Sequence, residues 1–163
     1  MRRQAFTSII AAVTIVGTFL FCASDASAAW RRVPAAACAP HNSYAELGAG
    51  LYCGSNDSNH YGFYYCPFTD DSTLDHTSAT ALWVDFYVAQ VGTWNYGTAA
   101  ACAQAYFNGY DYACDSIIQI GGSTVGWYNY NLPHTSWTNN PGWYASVAVE
   151  ANYNVWYMGM FVD

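Results

Sequence analysis

The chain has 163 residues, with four Lys and Arg against eleven Asp and Glu and a formal net charge of −7. All four cations are arginines. Proteins hold phosphate backbones and anionic lipid by neutralising them with Lys and Arg, so nucleic acid and anionic membrane surfaces are excluded as partners.

Arg2 and Arg3 precede an uncharged, mostly apolar stretch over residues 5–23, and Ala26-Ser27-Ala28 supplies small residues for a signal peptidase. This pattern predicts a cleavable signal peptide over residues 1–28. A membrane anchor is the alternative, since the stretch is near the lower limit for spanning a bilayer, but the small-residue site and the polar chain beyond it favour cleavage. A lipid-modified Cys22 would need a small residue in Phe19-Leu20-Phe21, which has none. Cleavage leaves 135 residues, one domain's worth, in which Arg31 and Arg32 face ten acids. The expected location is secreted, at the cell surface or in the periplasm. No later stretch reaches the ~18 apolar residues of a spanning helix, so no membrane span is expected in the mature chain. Five cysteines remain, Cys38, Cys53, Cys66, Cys102 and Cys114. In an oxidising compartment they read as a disulfide framework. The odd count leaves at least one free or joined to another chain.

Residues 29–43 are expected to form an N-terminal extended segment ahead of a domain over residues 44–163. Apolar residues alternate in that domain instead of recurring at three and four, the period of strands. Strands are predicted over residues 47–53, 62–67, 81–89, 98–107, 112–120 and 125–132. Two more follow, over 143–150 and 153–161, as a closing hairpin around Asn152. A helical turn over residues 99–105 is the alternative there. The clearest strand puts Leu82, Val84, Phe86 and Val88 on one face and Trp83, Asp85 and Tyr87 on the other. Turn residues such as Asn56-Asp57, Gly121-Gly122 and Asn140-Pro141-Gly142 punctuate the strands. Short strands at this spacing predict an all-β fold: a single antiparallel β-sandwich with jelly-roll-like packing.

One hairpin can be set in register. If Phe107, Asn108 and Gly109 form a three-residue loop with Gly109 in the left-handed conformation, Cys102 lies directly opposite Cys114. That predicts a Cys102–Cys114 disulfide. Cys66 has two candidate partners. Pairing with Cys38 ties the N-terminal segment to a strand; pairing with Cys53 bridges two neighbouring strands. The first is preferred and leaves Cys53 unpaired.

Catalytic signatures are missing. There is no H-E-x-x-H and no C-x-x-C. Gly122-Ser123-Thr124-Val125-Gly126 has serine one place early for a nucleophile elbow. Glu46 and Glu150 are the two glutamates, and a glycosidase needs a carboxylate pair; Glu150 reads as a solvated strand residue instead. Residues 70–75 offer hard oxygen ligands without EF-hand spacing and read as a solvated turn. His41, His60, His76 and His134 are flanked by turn residues and read as surface groups. No metal and no cofactor is expected.

Aromatic content is the unusual feature. The mature chain holds 27 aromatics, many beside asparagine, as in Trp127-Tyr128-Asn129-Tyr130-Asn131 and Trp137-Thr138-Asn139-Asn140. Rigid rings beside amides suit sugars, which are apolar on their faces and hydroxylated at their edges. The candidate ligand-binding residues are Trp127, Tyr128, Asn129, Tyr130, Trp137 and Asn139. A structural use of the same rings in a core is the alternative.

Cys38 soon after the signal peptide, then Tyr65-Cys66-Pro67, the strand over residues 82–88 and Ala101-Cys102-Ala103 form a layout. It resembles small exported β-sandwich proteins of soil-dwelling Gram-negative bacteria. The resemblance implies export, a sandwich and a Cys38–Cys66 pair; it implies no activity, and Cys53 departs from the group's even cysteine count. The expected function is therefore an exported, non-enzymatic binding or surface protein with carbohydrate as ligand. A structural or self-assembling extracellular subunit is the alternative, and a hydrolase comes third.

Overall fold

A computed structural model describes residues 30–48, 51–91, 97–105 and 111–163. The expected signal peptide and the loop at Phe107, Asn108 and Gly109 lie outside the described residues. In chain order the strands are β1 (Arg31–Pro34), β2 (Ala39–Pro40), β3 (Ala45–Gly48), β4 (Tyr52–Ser55), β5 (Gly62–Pro67) and β6 (Leu82–Val88). They continue as β7 (Gly97–Gln104), β8 (Tyr112–Cys114), β9 (Ile118–Ile120), β10 (Gly126–Asn131), β11 (Tyr144–Ala151) and β12 (Val155–Val162). One α-helical turn, α1 (Thr135–Thr138), and two 3-10 turns, Ala35–Ala37 and His76–Ser78, interrupt them among the described residues.

The strands form two six-stranded antiparallel sheets. The first runs β10-β6-β12-β4-β3, with β1 also on β12; the second runs β2-β5-β11-β7-β8, with β9 also on β7. Together they make the expected β-sandwich. The chain changes sheet repeatedly, as in β5 to β6 to β7 and in β10 to β11 to β12, a jelly-roll-like winding. Alternation explains the two layers. In β6 the residues at 82, 84, 86 and 88 are fully buried, while those between them are half-buried on the outer side. β11 does the same from the other sheet with Ala145, Val147, Val149 and Ala151. Phe86 meets Tyr157 edge-on in the middle of the core, ring centroids 5.3 Å apart.

Both expected disulfides are present. Cys102 and Cys114 are direct partners in the β7–β8 ladder, as the assumed turn required. Cys38 joins Cys66 of β5, and Cys53 is the free cysteine, fully buried. A Cys53–Cys66 bond is thereby excluded, and so is an interchain bond through Cys53 in the folded protein.

Three expectations change. β11 and β12 do not form a hairpin. They lie in different sheets, because both carry a fully apolar face and these faces oppose each other across the core. Asn152 makes the corner, its buried side chain accepting the Asn154 N–H at 2.8 Å. The strand expected over 47–53 is the hairpin of β3 and β4, and that over 112–120 is split into β8 and β9. The strand expected over 98–107 is present as β7 up to Gln104, so the alternative of a helical turn over 99–105 falls. Finally, the segment over 29–43 is no tail ahead of the domain: β1 pairs with β12 in one sheet and β2 with β5 in the other.

Candidate functional site

The outer face of the first sheet is where the sequence places rings beside amides. Direct partners in a ladder share a side. Trp127 lies opposite Tyr87, Asn129 opposite Asp85 and Asn131 opposite Trp83. One strand further on, Trp156 lies opposite Tyr87, Gly159 opposite Asp85 and Phe161 opposite Trp83. The irregularity between Tyr157 and Gly159 keeps Trp156 and Phe161 on the same outer side although five residues separate them.

The register therefore builds an aromatic row across four strands. Trp127 meets Tyr87 at 5.4 Å between centroids, Tyr87 meets Trp156 at 5.6 Å, and Trp156 stacks on Tyr52 of β4 at 4.5 Å. Interplanar angles fall from 64° through 31° to 16° along the row. Stacked rings cover each other, so the Tyr52 end offers edges. Trp127, at the far end, is 65% exposed and set steeply to its neighbour, which leaves a face free.

Beside this row lies a polar floor. The Asn129 Nδ2 donates to Asp85 Oδ1 at 2.6 Å, which orients both groups. Beyond the floor are Trp83 and Phe161, and Trp30 leans over from the start of β1. Trp30, Trp83, Asp85, Asn129 and Phe161 line an open cleft of about 220 Å³. The Arg32 guanidinium sits over the Phe161 ring, 4.2 Å from its centroid.

Of the six expected site residues, the structure brings two to this face, Trp127 and Asn129. Tyr128 and Tyr130 lie on the opposite side of β10 and pack against the core. Their hydroxyls brace the loop before the strand: Tyr128 donates to the Thr124 carbonyl at 2.8 Å, and Tyr130 donates to that of Gly121. Trp137 is no platform, being fully buried in α1. Its indole N–H is shared between the carbonyls of Cys102 at 2.9 Å and Ser146 at 3.2 Å, and it stacks on Phe68. Asn139, the C-cap of α1, is exposed beside the second sheet, away from Trp127. Sequence reasoning missed Tyr52, Tyr87, Trp83 and Trp156. Alternation put Trp83 and Tyr87 on an outer face, but the pairing of β6 with β10 and β12 is non-local and leaves no periodic signal.

The other candidates resolve as structure. Glu46 belongs to β3 of the first sheet and Glu150 to β11 of the second. His76 departs from the surface expectation. It is 1% exposed, its Nδ1 is 2.6 Å from Asp70 Oδ2, and its ring lies edge-on to Trp137. Asp70, Asp75 and His76 place one donor atom each within 4.8 Å of one another. Their oxygens, however, serve the turn. Asp70 Oδ1 accepts the His76 N–H, and Asp75 Oδ1 accepts both the N–H and the hydroxyl of Thr77 at 2.7 Å. The Thr77 hydroxyl, then its N–H, holds the Asp75 carboxyl below its ordinary range.

No helix among the described residues is long and apolar enough to cross a membrane. The two disulfides are those of an oxidising compartment. No family model matches the chain, and neither curated proteins nor solved structures provide a match.

Proposed function

We propose that the protein is an exported, non-catalytic carbohydrate-binding domain that takes its ligand on the outer face of the first sheet. The observation that carries this reading is the aromatic row ending in Trp127, with the Asn129–Asp85 pair beside it. Sugar rings stack their apolar faces on indoles while their hydroxyls take amide and carboxylate partners. Trp127 offers the face. Asn129 lies two residues along the same strand, about 7 Å away, where a stacked sugar places its edge. The arrangement is open at both ends, which suits an inner stretch of a polymer. Export is supported by the disulfides and by the N-terminal pattern of the sequence.

Affinity electrophoresis in gels containing soluble polysaccharides tests the reading. Retardation by at least one glycan is expected, weakened about thirtyfold in Trp127→Ala, the effect of removing a tryptophan hot spot worth ~2 kcal/mol. Trp137→Ala is no test of binding, since that ring is core. Retardation unchanged in Trp127→Ala removes this reading.

A second reading, self-assembly, is favoured by one observation. Among the described residues β10 pairs only with β6, so its outer edge is a row of free backbone groups with neither Lys nor Pro to block it. Light scattering coupled to gel filtration separates the two. A ladder of oligomers that persists in reductant supports assembly; a monomer at every concentration removes it.

A further inference from the structure

Resting on that glycan reading, we propose that the ligand is an amine-bearing sugar polymer, its ammonium group seated against Asp85 between aromatic rings. Among the five residues that line the Trp30–Trp83–Phe161 cleft, Asp85 alone carries a charge. Its Oδ1 accepts from the Asn129 amide, which fixes the carboxylate at the cleft it lines. A carboxylate between indoles is the chemistry that selects an organic cation. The rings attract it through their quadrupoles, and the acid supplies the counter-charge. Neutral hydroxyls need no such acid, and a uronic acid would be repelled by it.

Charge complementarity extends beyond the cleft. The chain carries a net charge of −7 and concentrates cations near its surface. Arg32 is the nearest opposing charge, but it lies over Phe161 from β1, two strands from Asp85. Trp83 and Phe161 stand in one cross-strand row with Arg32, and Asp85 stands in the next row beside Asn129, so the ammonium is drawn to the Asp85 and Asn129 side. A sugar stacked on Trp127 sits on the strand beside Asp85, so one chain can use both groups at once.

The test compares two tetrasaccharides with the same β-1,4 backbone: glucosamine with free amines, and its N-acetyl counterpart, in which each ammonium is a neutral amide. Calorimetric titration is run at a pH that protonates the amines. The wild-type protein is expected to bind the free-amine tetramer about tenfold more tightly. In Asp85→Asn, which keeps an amide–amide pair with Asn129, the preference is expected to fall to about twofold or less, with N-acetyl binding little changed. Equal affinities in the wild-type protein overturn the inference without any variant. A preference left intact in Asp85→Asn also overturns it, because the general acidity of the chain then suffices. If neither tetramer binds, the amine inference is lost, and the glycan reading is decided by the polysaccharide gels. If both bind equally and Trp127→Ala abolishes both, the glycan reading stands and the amine preference alone is removed.

Discussion

Cys53 and the tyrosines around it form a buried polar group with opposite fortunes inside one core. The Tyr64 phenol lies between the carbonyls of Glu46, at 2.7 Å, and Gly54, and accepts the Gly54 N–H at 3.1 Å. The Tyr157 hydroxyl, equally buried, has no hydrogen-bond partner among the described residues. Removing a satisfied buried hydroxyl orphans its partners, whereas removing an unsatisfied one does not. Tyr64→Phe is expected to lower the urea unfolding free energy by about 1–3 kcal/mol, and Tyr157→Phe to leave it level or raise it. A Tyr157→Phe loss as large as that of Tyr64→Phe would refute the contrast. Burial also pushes the Cys53 thiol up to about 12 and raises both phenols above their usual range. The sign follows from the favoured form: each folded-state group holds its proton more tightly than in the unfolded chain. Their contribution is complete below pH 9 and is lost progressively as pH rises above it. Chemical denaturation across that window is expected to show falling stability. The native Cys53 is expected to resist thiol reagents until the protein unfolds.

At the scale of elements, α1 is a single turn held by groups distant in sequence. Asp115 Oδ2 accepts the Ser136 N–H at 2.9 Å and the Ser136 hydroxyl at 2.6 Å. It thus works as a cap supplied from the loop after β8. Asp115→Ala is expected to cost about 0.5–2 kcal/mol, and Trp137→Ala, which empties the space behind the turn, about 3–5 kcal/mol. Thermal unfolding of the two variants checks the order. This element shows where legibility ends. Strands such as β6 and β10 could be read directly, because one residue in two is apolar whichever strand lies beside them. The Cys102–Cys114 pair could be read because the hairpin is local. The corner at Asn152 could not, since alternation tells which side of a strand is buried but not whether the next strand lies beside it or across the core. Trp137 misled for a related reason. A tryptophan among Thr and Asn looks like a surface ring until the chain that covers it, here Phe68 and His76, is known. Trp127 and Asn129 were named together with Tyr128 and Tyr130, because alternation separates the two sides of β10 without telling which one meets the core.

Over the whole molecule, the two disulfides restrain different scales of the unfolded chain. Cys102–Cys114 spans 12 residues and Cys38–Cys66 spans 28. In the chain-entropy account they contribute about 3 and about 3.5 kcal/mol. Replacing each pair by serines is expected to lower stability in that order, the Cys38–Cys66 double variant losing more. Equal stability of the double variants and the parent in denaturant titration would reject this. The sandwich also divides its labour between faces. The inner faces carry the aliphatic core, and the outer face of the first sheet carries the rings proposed for the ligand. Core variants are therefore expected to change stability, and outer-face variants such as Trp127→Ala to change binding with stability within about 0.5 kcal/mol.

The pairing of β1 with β12 sets Arg31 against Val162, and so ties the beginning of the folded chain to its last strand. β12 is also the strand to which β6 and β4 attach. β12 is thus the strand that joins the pair β10-β6 to the pair β4-β3; without it, β1, β4 and β6 have no common partner, and the first sheet has no middle. Refolding kinetics are accordingly expected to be slow for the domain's size, because long loops must close before the distant pairings stabilise anything.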